Sequence, residues 1–199
     1  MKELLREDPA LARAKDENGF SALMVAAYAG ASGIARALED AGAPVSVFEA
    51  AALGREDIIR DLVAITPGLL QTFSHDGWSL LHLAVFFGHA ALAEFLIKRG
   101  ADLDAVSRNP MANTPLHSAV AGRRIAAAKL LLQAGADVNA RAQGLTPLHL
   151  AAHAGHEPLV ELLLAYGADA KVRDAQGQTA AALAADQGHT AVADFLRKY

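Results

Sequence analysis

The chain has 199 residues, 53% hydrophobic and only 6% aromatic, with a net charge of −4 and no cysteine. This balance excludes a disulfide framework and cysteine-based metal or thiol chemistry, and it lacks the basic stripe of a phosphate-gripping protein. No apolar run approaches the roughly 20 residues that span a bilayer, and the opening Met-Lys-Glu-Leu-Leu-Arg-Glu-Asp-Pro has no uninterrupted apolar core to read as a signal peptide.

Residues 1–46 align with residues 59–104 without insertion, pairing Leu4 with Leu62, Pro9 with Pro67, Gly19 with Gly77 and Gly30 with Gly88. By that alignment residues 2–7 form the second helix of a two-helix unit whose first helix is absent. The expectation is a minimal N-terminal cap, with a truncated chain as the alternative and fraying of residues 1–7 in either case. Next comes Ser21-Ala22-Leu23-Met24-Val25-Ala26, the first form of a recurring phrase. A shortened unit follows, Val47 to Gly54 and then a helix carrying Ile58, Ile59, Leu62 and Val63. It reads as having lost both the phrase and the long loop before it. The phrase returns as Ser79-Leu80-Leu81-His82-Leu83-Ala84, Thr114-Pro115-Leu116-His117-Ser118-Ala119 and Thr146-Pro147-Leu148-His149-Leu150-Ala151, and finally as Thr179-Ala180-Ala181-Ala182-Leu183-Ala184.

Each phrase predicts a helix start. Thr146 suits an N-cap, where its hydroxyl accepts from an orphan backbone N–H, and Pro147 suits the first helical position. Gly155 ends that helix. Leu159, Leu162 and Leu163 then lay an apolar stripe along a second helix, and Gly167-Ala168-Asp169 turns the chain into the next loop. Leu148 is expected in the core. The leucine slots at 23, 81, 116, 148 and 181 lie 58, 35, 32 and 33 residues apart, a period of about 33 with one irregular gap.

Phrase and period together resemble the ankyrin-repeat family over nearly the whole chain. The resemblance implies an all-α ankyrin-repeat solenoid of stacked helix-turn-helix units with extended hairpin-like loops, in one domain over residues 1–199. Its expected parts are a half-repeat cap at 1–15, repeats at 16–46, 47–73 (shortened), 74–106, 107–140 and 141–173, and a C-terminal cap at 174–199. It also implies that His82, His117 and His149 bond backbone between neighbouring repeats. Arg123 occupies a glycine slot, so it must accept positive φ or end its helix differently. The Asn109-Pro110-Met111 stretch resembles bacterial members of the family, and a bacterial source is expected on that ground.

No catalytic constellation has persuasive spacing. Asp76 beside His75 sits at a loop tip with nothing to shift its acidity. His149, His153 and His156 share i, i+4, i+7 spacing, but two of the three have structural slots in the family, so no metal and no cofactor is expected. Arg123, Arg124 and Lys129 read as a solvated helix face.

Binding is the expectation that the resemblance supplies, with the partner in the concave groove of the first helices and on the loop tips. Phe20 and Tyr28 of the first full repeat, and Trp78, Phe86 and Phe87 of the third, fall in the corresponding slots. Met111 and Asn113 occupy the fourth repeat's displaced loop, and Leu145 and His153 the fifth. Large rings in slots where packing does not require them mark an interface. The alternative is that Trp78 covers the loop stack and that Phe86 or Phe87 packs against the shortened repeat. The expected function is a non-catalytic protein-interaction module with a protein partner, no nucleic acid and no membrane, monomeric and cytoplasmic. A regulatory or inhibitory subunit, or an assembly factor of a neighbouring enzyme, is the alternative.

Overall fold

The computed structural model describes residues 2–199. Among them lie thirteen α-helices and two 3-10 turns but no strand. The chain divides into two compact units, one ending at Leu69 and one spanning Leu70–Tyr199.

The first unit opens with α1 (Lys2–Glu7) and a 3-10 turn (Pro9–Arg13), then α2 (Ala22–Tyr28), α3 (Ser32–Asp40), α4 (Val47–Ala52) and α5 (Glu56–Ile65). Asp8 caps the 3-10 turn by accepting from Ala10 N–H at 3.0 Å. Helices α2 and α4 lie side by side, each backed by the helix that follows it. Leu5 of α1, Leu23 of α2 and Ala35 and Leu38 of α3 share one buried cluster.

The shortened repeat keeps more of the recurring phrase than its sequence shows. Ser46 is the N-cap of α4 and Glu49 its third residue, and each side chain meets the other's backbone N–H in a capping box. Ser46-Val47-Phe48-Glu49 therefore stands where other repeats place Thr-Pro-Leu-His. The physical demand is a short hydroxyl at the cap and an acceptor three residues on, and Glu meets it as His does.

The second unit pairs α6 (Leu80–Phe87) with α7 (Ala90–Lys98), α8 (Pro115–Ala121) with α9 (Ile125–Ala134), α10 (Pro147–His153) with α11 (Glu157–Ala165), and α12 (Ala180–Asp186) with α13 (Thr190–Leu196). Helices α6, α8, α10 and α12 pack in sequence as one row; α7, α9 and α11 pack as a second row behind it. Leu116, Leu131, Leu148, Leu159 and Leu163 fill the space between the rows, all at most 1% exposed. Alanines such as Ala119, Ala128, Ala151 and Ala152 are fully buried where neighbouring helices meet. An ordinary hydrophobe at those places would not fit a close-packed interior. This is an all-α ankyrin-type solenoid, as the sequence predicts.

The loops before the inner helices are hairpin-like fingers. Four are closed by a single antiparallel bridge, Lys15 to Ser21, Phe73 to Ser79, Ala142 to Leu145 and Arg173 to Thr179, and the one before α8 by the Ser107 N–H donating to the Asn113 carbonyl at 2.8 Å. Arg123 takes the first of its two predicted options, with φ of 57°. Gly122 just before it has φ of −74°, so left-handed backbone is not what requires that glycine. A Cβ there would lie 2.4 Å from the Phe86 carbonyl oxygen. Close approach of two repeats is the reason.

Candidate protein-interaction surface

In the second unit one set of residues joins the fingers to the inner helices. At the head of α10, Thr146 adopts an extended conformation and its hydroxyl oxygen accepts from His149 N–H at 3.4 Å. Pro147 occupies the first turn, as predicted. The imidazole of His149 closes the arrangement on both sides. Its Nδ1 accepts from the Thr146 backbone N–H at 3.2 Å and lies 2.8 Å from the Thr146 hydroxyl. Its Nε2 lies 3.3 Å from the carbonyl oxygen of Gln178 in the next finger. A carbonyl only accepts, so Nε2 carries the proton and the ring is neutral.

The pattern repeats along the unit. His117 lies 2.8 Å from the Thr114 hydroxyl and reaches the Leu145 carbonyl at 3.1 Å. His82 lies 2.7 Å from the Ser79 hydroxyl and reaches the Asn113 carbonyl at 2.9 Å. All three rings are at most 1% exposed. Burial disfavours their charged forms, most at His82, whose pKa falls from 6.5 to about 4. It also lowers His117 and His149. These histidines bridge repeats, as the family resemblance implies. Their second bond, back to the helix cap, has no counterpart in the sequence reading.

The ladder fixes where the expected contact residues stand. Asn113 and Leu145 give their carbonyls to it, and their side chains are half-buried on adjacent fingers. Met111 is 56% exposed, and the Asn113 amide lies 3.8 Å from its sulfur. Trp78 is half-buried, its ring centroid 5.5 Å from that of His82, so it covers the ladder's first member. Phe86 and Phe87 are half-buried at the end of α6 and meet edge to face at 5.1 Å. His153 is exposed at the end of α10. Phe20 and Tyr28 belong to the first unit, where their rings meet edge to face at 6.1 Å and Tyr28 is 42% exposed. Val25 beside them is 46% exposed, and the sequence reading passes over it because it counts slots rather than accessible surface.

Arg123, Arg124 and Lys129 are exposed, as a solvated helix face requires, and the two arginines have a second part to play. They precede α9 and tie repeats together: Arg123 Nη2 donates to the Ala154 carbonyl at 2.9 Å and Arg124 Nε to the Phe86 carbonyl at 3.0 Å. Three more arginines mark successive fingers, Arg108, Arg141 and Arg173. Arg141 and Arg173 each precede the residue whose N–H bonds the end of its finger, whereas Arg108 follows it, and none of the three is among the slots considered in the sequence. Among the described residues no group of three His, Cys, Asp or Glu side chains is placed to hold a metal ion, and no helix is long and apolar enough to cross a membrane.

Stacked two-helix units, fingers and a Thr/Ser–His ladder define a repeat-protein scaffold. The family profile described as ankyrin repeats (3 copies) matches residues 47–142, and that described as ankyrin repeats (many copies) matches residues 131–184. The chain belongs to the ankyrin-repeat family, whose repeats generally serve as protein–protein interaction modules. It is 31% identical over 176 residues to a transient receptor potential cation channel subfamily A member 1 homolog of Caenorhabditis elegans, covering 88% of this chain and 14% of that one. It is 37% identical over 120 residues to ankyrin repeat and SOCS box protein 11 of Homo sapiens, covering 60% and 36%. With Rabankyrin-5 of Mus musculus it shares 34% over 144 residues, 66% of this chain and 12% of the relative. The chain thus spans little more than a third of these relatives at most. All three are eukaryotic, and the bacterial source expected from Asn109-Pro110-Met111 draws no support from them.

Proposed function

We propose that the chain is a non-catalytic docking module and that the second unit binds a partner protein across its inner helices and fingers. One observation carries this reading. Packing leaves Met111 and His153 exposed and Trp78, Phe86 and Phe87 half-buried along one row of inner helices and the fingers that lead into it. Accessible rings and a methionine on a rigid scaffold are the residues that anchor interfaces. Histidine bonds from each inner helix to the next finger hold that scaffold in register, so little ordering entropy is lost on binding. Three adjacent repeats offer roughly 800 Å² to a partner, the size of a specific interface.

The test is capture from lysate of the source organism by wild type and by a Trp78→Ala/Phe87→Ala variant, after circular dichroism shows that both are folded. A protein held by wild type and lost by the variant supports the reading. Equal capture by both removes those rings from the interface.

A further inference from the structure

We propose that Met111 is an oxidation site: hydrogen peroxide converts its thioether to the sulfoxide, and the polar tip that results no longer anchors a partner. The second half rests on the docking reading above; the first stands on the finger alone.

The finger before α8 holds this side chain out to solvent. Thr114 follows Gly100 by fourteen residues, whereas Thr146 follows Gly135 by eleven and Thr179 follows Gly167 by twelve. Pro110 and Met111 lie in that longer stretch, both exposed, Met111 at 56%. Within the finger, Asn109 Oδ1 accepts from the Ser107 hydroxyl at 3.0 Å and from the Met111 N–H at 3.1 Å. The Ser107 hydroxyl oxygen accepts from the Asn113 N–H at 2.9 Å. Toward the preceding finger, the Arg108 N–H donates to the Gly77 carbonyl at 2.8 Å and the Asn109 amide to the Asp76 carbonyl at 3.0 Å. From the following finger, the Gln143 amide donates to the Pro110 carbonyl. These bonds keep Ala112 in left-handed backbone, with φ of 48°, a conformation that persists where the surroundings over-determine it. A tip tied on both sides does not fold Met111 away from an oxidant.

Exposure also selects this sulfur over the core. Of the three methionines, Met24 is 6% exposed within α2, and the chain has no cysteine to compete for peroxide. In the reaction a sulfur lone pair attacks one peroxide oxygen, and the O–O bond breaks as the S–O bond forms. The sulfur is oxidised by two electrons and the peroxide reduced. The second oxygen leaves as hydroxide, which takes the proton of the new S–OH group to form water.

Asn113 sets the stereochemistry. A thioether sulfur has two lone pairs, and oxygen added to one or the other gives the two sulfoxide epimers. The Asn113 amide donates to the Met111 sulfur at 3.8 Å, a weak bond that occupies one lone pair and covers that side. Peroxide therefore meets the other, and one epimer forms in excess. The product is polar where the thioether was apolar, a change that disrupts an interface built on methionine.

Peroxide treatment of the whole chain, then digestion and mass spectrometry, reads the gain of one oxygen at each methionine. Met111 should react at least about tenfold faster than Met24. Two methionine sulfoxide reductases each take one epimer, so one of them should return most of the Met111 sulfoxide to methionine and the other little. Asn113→Ala and Asn113→Asp remove the amide donor and keep the backbone bonds to His82 and Ser107, and each should give nearly equal shares. Met24 reacting as fast as Met111, an even split in wild type, or an unchanged split in both variants overturns the site. Docking is then read with the protein that wild type captures and Trp78→Ala/Phe87→Ala does not. Oxidised wild type should hold it at least about fivefold less with an unchanged thermal midpoint, and Met111→Leu treated alike should hold it as before treatment. Undiminished capture by oxidised wild type, or a lowered midpoint, overturns the switch and leaves the docking reading standing. If no protein distinguishes wild type from the ring variant, the docking reading falls and the switch with it.

Discussion

The Ser21 hydroxyl donates to the carboxylate of Glu49, joining the caps of two adjacent inner helices. The same carboxylate accepts from the Ser46 backbone N–H at 2.6 Å, and Glu49 is 7% exposed. Glu49 thus does for the first unit what histidine does in the second, in the opposite direction. His82 reaches forward to the next finger; Glu49 reaches back to the cap of α2. The shortened repeat has no long finger to offer a carbonyl to α2, so the link between α2 and α4 runs from cap to cap.

Replacing Glu49 tests this link. Glu49→Ala leaves the Ser46 N–H and the Ser21 hydroxyl without their acceptor, and urea unfolding should show a loss of about 1–3 kcal/mol. Glu49→Gln retains one acceptor oxygen and should lose less. Equal stability of wild type and Glu49→Ala would mean that the carboxylate does not hold the caps together.

Acid should loosen the second unit before it protonates most carboxylates. The His82 pKa is lowered to about 4 in the fold against 6.5 when exposed. Between those values the unfolded chain binds a proton that the folded chain refuses, so stability falls as pH drops through 6.5 and levels off below about 4. For His82 alone the full loss is about 3 kcal/mol. His117 and His149 are lowered for the same reason, burial, and act in the same direction. Urea melts followed by the fluorescence of Trp78, the only tryptophan, should show midpoints falling between pH 7 and pH 4.5. His82→Gln should flatten part of that slope, and an unchanged slope would remove His82 as its source.

Gly122 and Arg123 have exchanged roles, and two substitutions separate them. Gly122→Ala drives a methyl into the Phe86 carbonyl, 2.4 Å away, and should cost about 2 kcal/mol or more. Arg123→Gly releases a left-handed conformation that costs an L-residue about 1–2 kcal/mol. It also loses the bond to Ala154, worth about 1 kcal/mol. Its net effect on stability should therefore be near zero. A larger loss from Arg123→Gly than from Gly122→Ala would contradict this assignment.

The core offers a pair of opposite sign. Leu148 is 1% exposed between the two helix rows, and Leu148→Ala should cost about 2–5 kcal/mol by leaving a cavity. Ser118 is 2% exposed and its hydroxyl has no hydrogen-bond partner. Ser118→Ala removes an unsatisfied polar atom without changing the packing and should stabilise by about 1 kcal/mol. Thermal melts of the two variants check both signs.

Much of this architecture is legible in the residues. Thr146-Pro147 announces a helix start because a hydroxyl cap and a pre-set φ are local demands. The positive φ of Arg123 is legible because glycine marks the same slot in neighbouring repeats. Glu49 is not legible in that way, since what the shortened unit keeps is a hydrogen-bonding pattern and not the letters that usually supply it. The candidate surface is legible only in part. Counting slots finds Trp78 and Phe86, but it misses the ring-to-ring contact of Trp78 with His82 and the finger arginines. Those depend on which fingers stack, a relation between residues about thirty positions apart.

The central claim, that the inner-helix face docks another protein, is tested most directly by site-specific photocrosslinking. A photoreactive residue replaces His153 on α10 in one protein and Gln133 on α9, in the back row, in another. Both are irradiated in lysate of the source organism and the adducts are identified by mass spectrometry. The account predicts a discrete protein adduct from position 153, absent from position 133 and suppressed by Phe87→Ala. An adduct from position 133 with none from position 153 would place the interface on the back row and contradict the account.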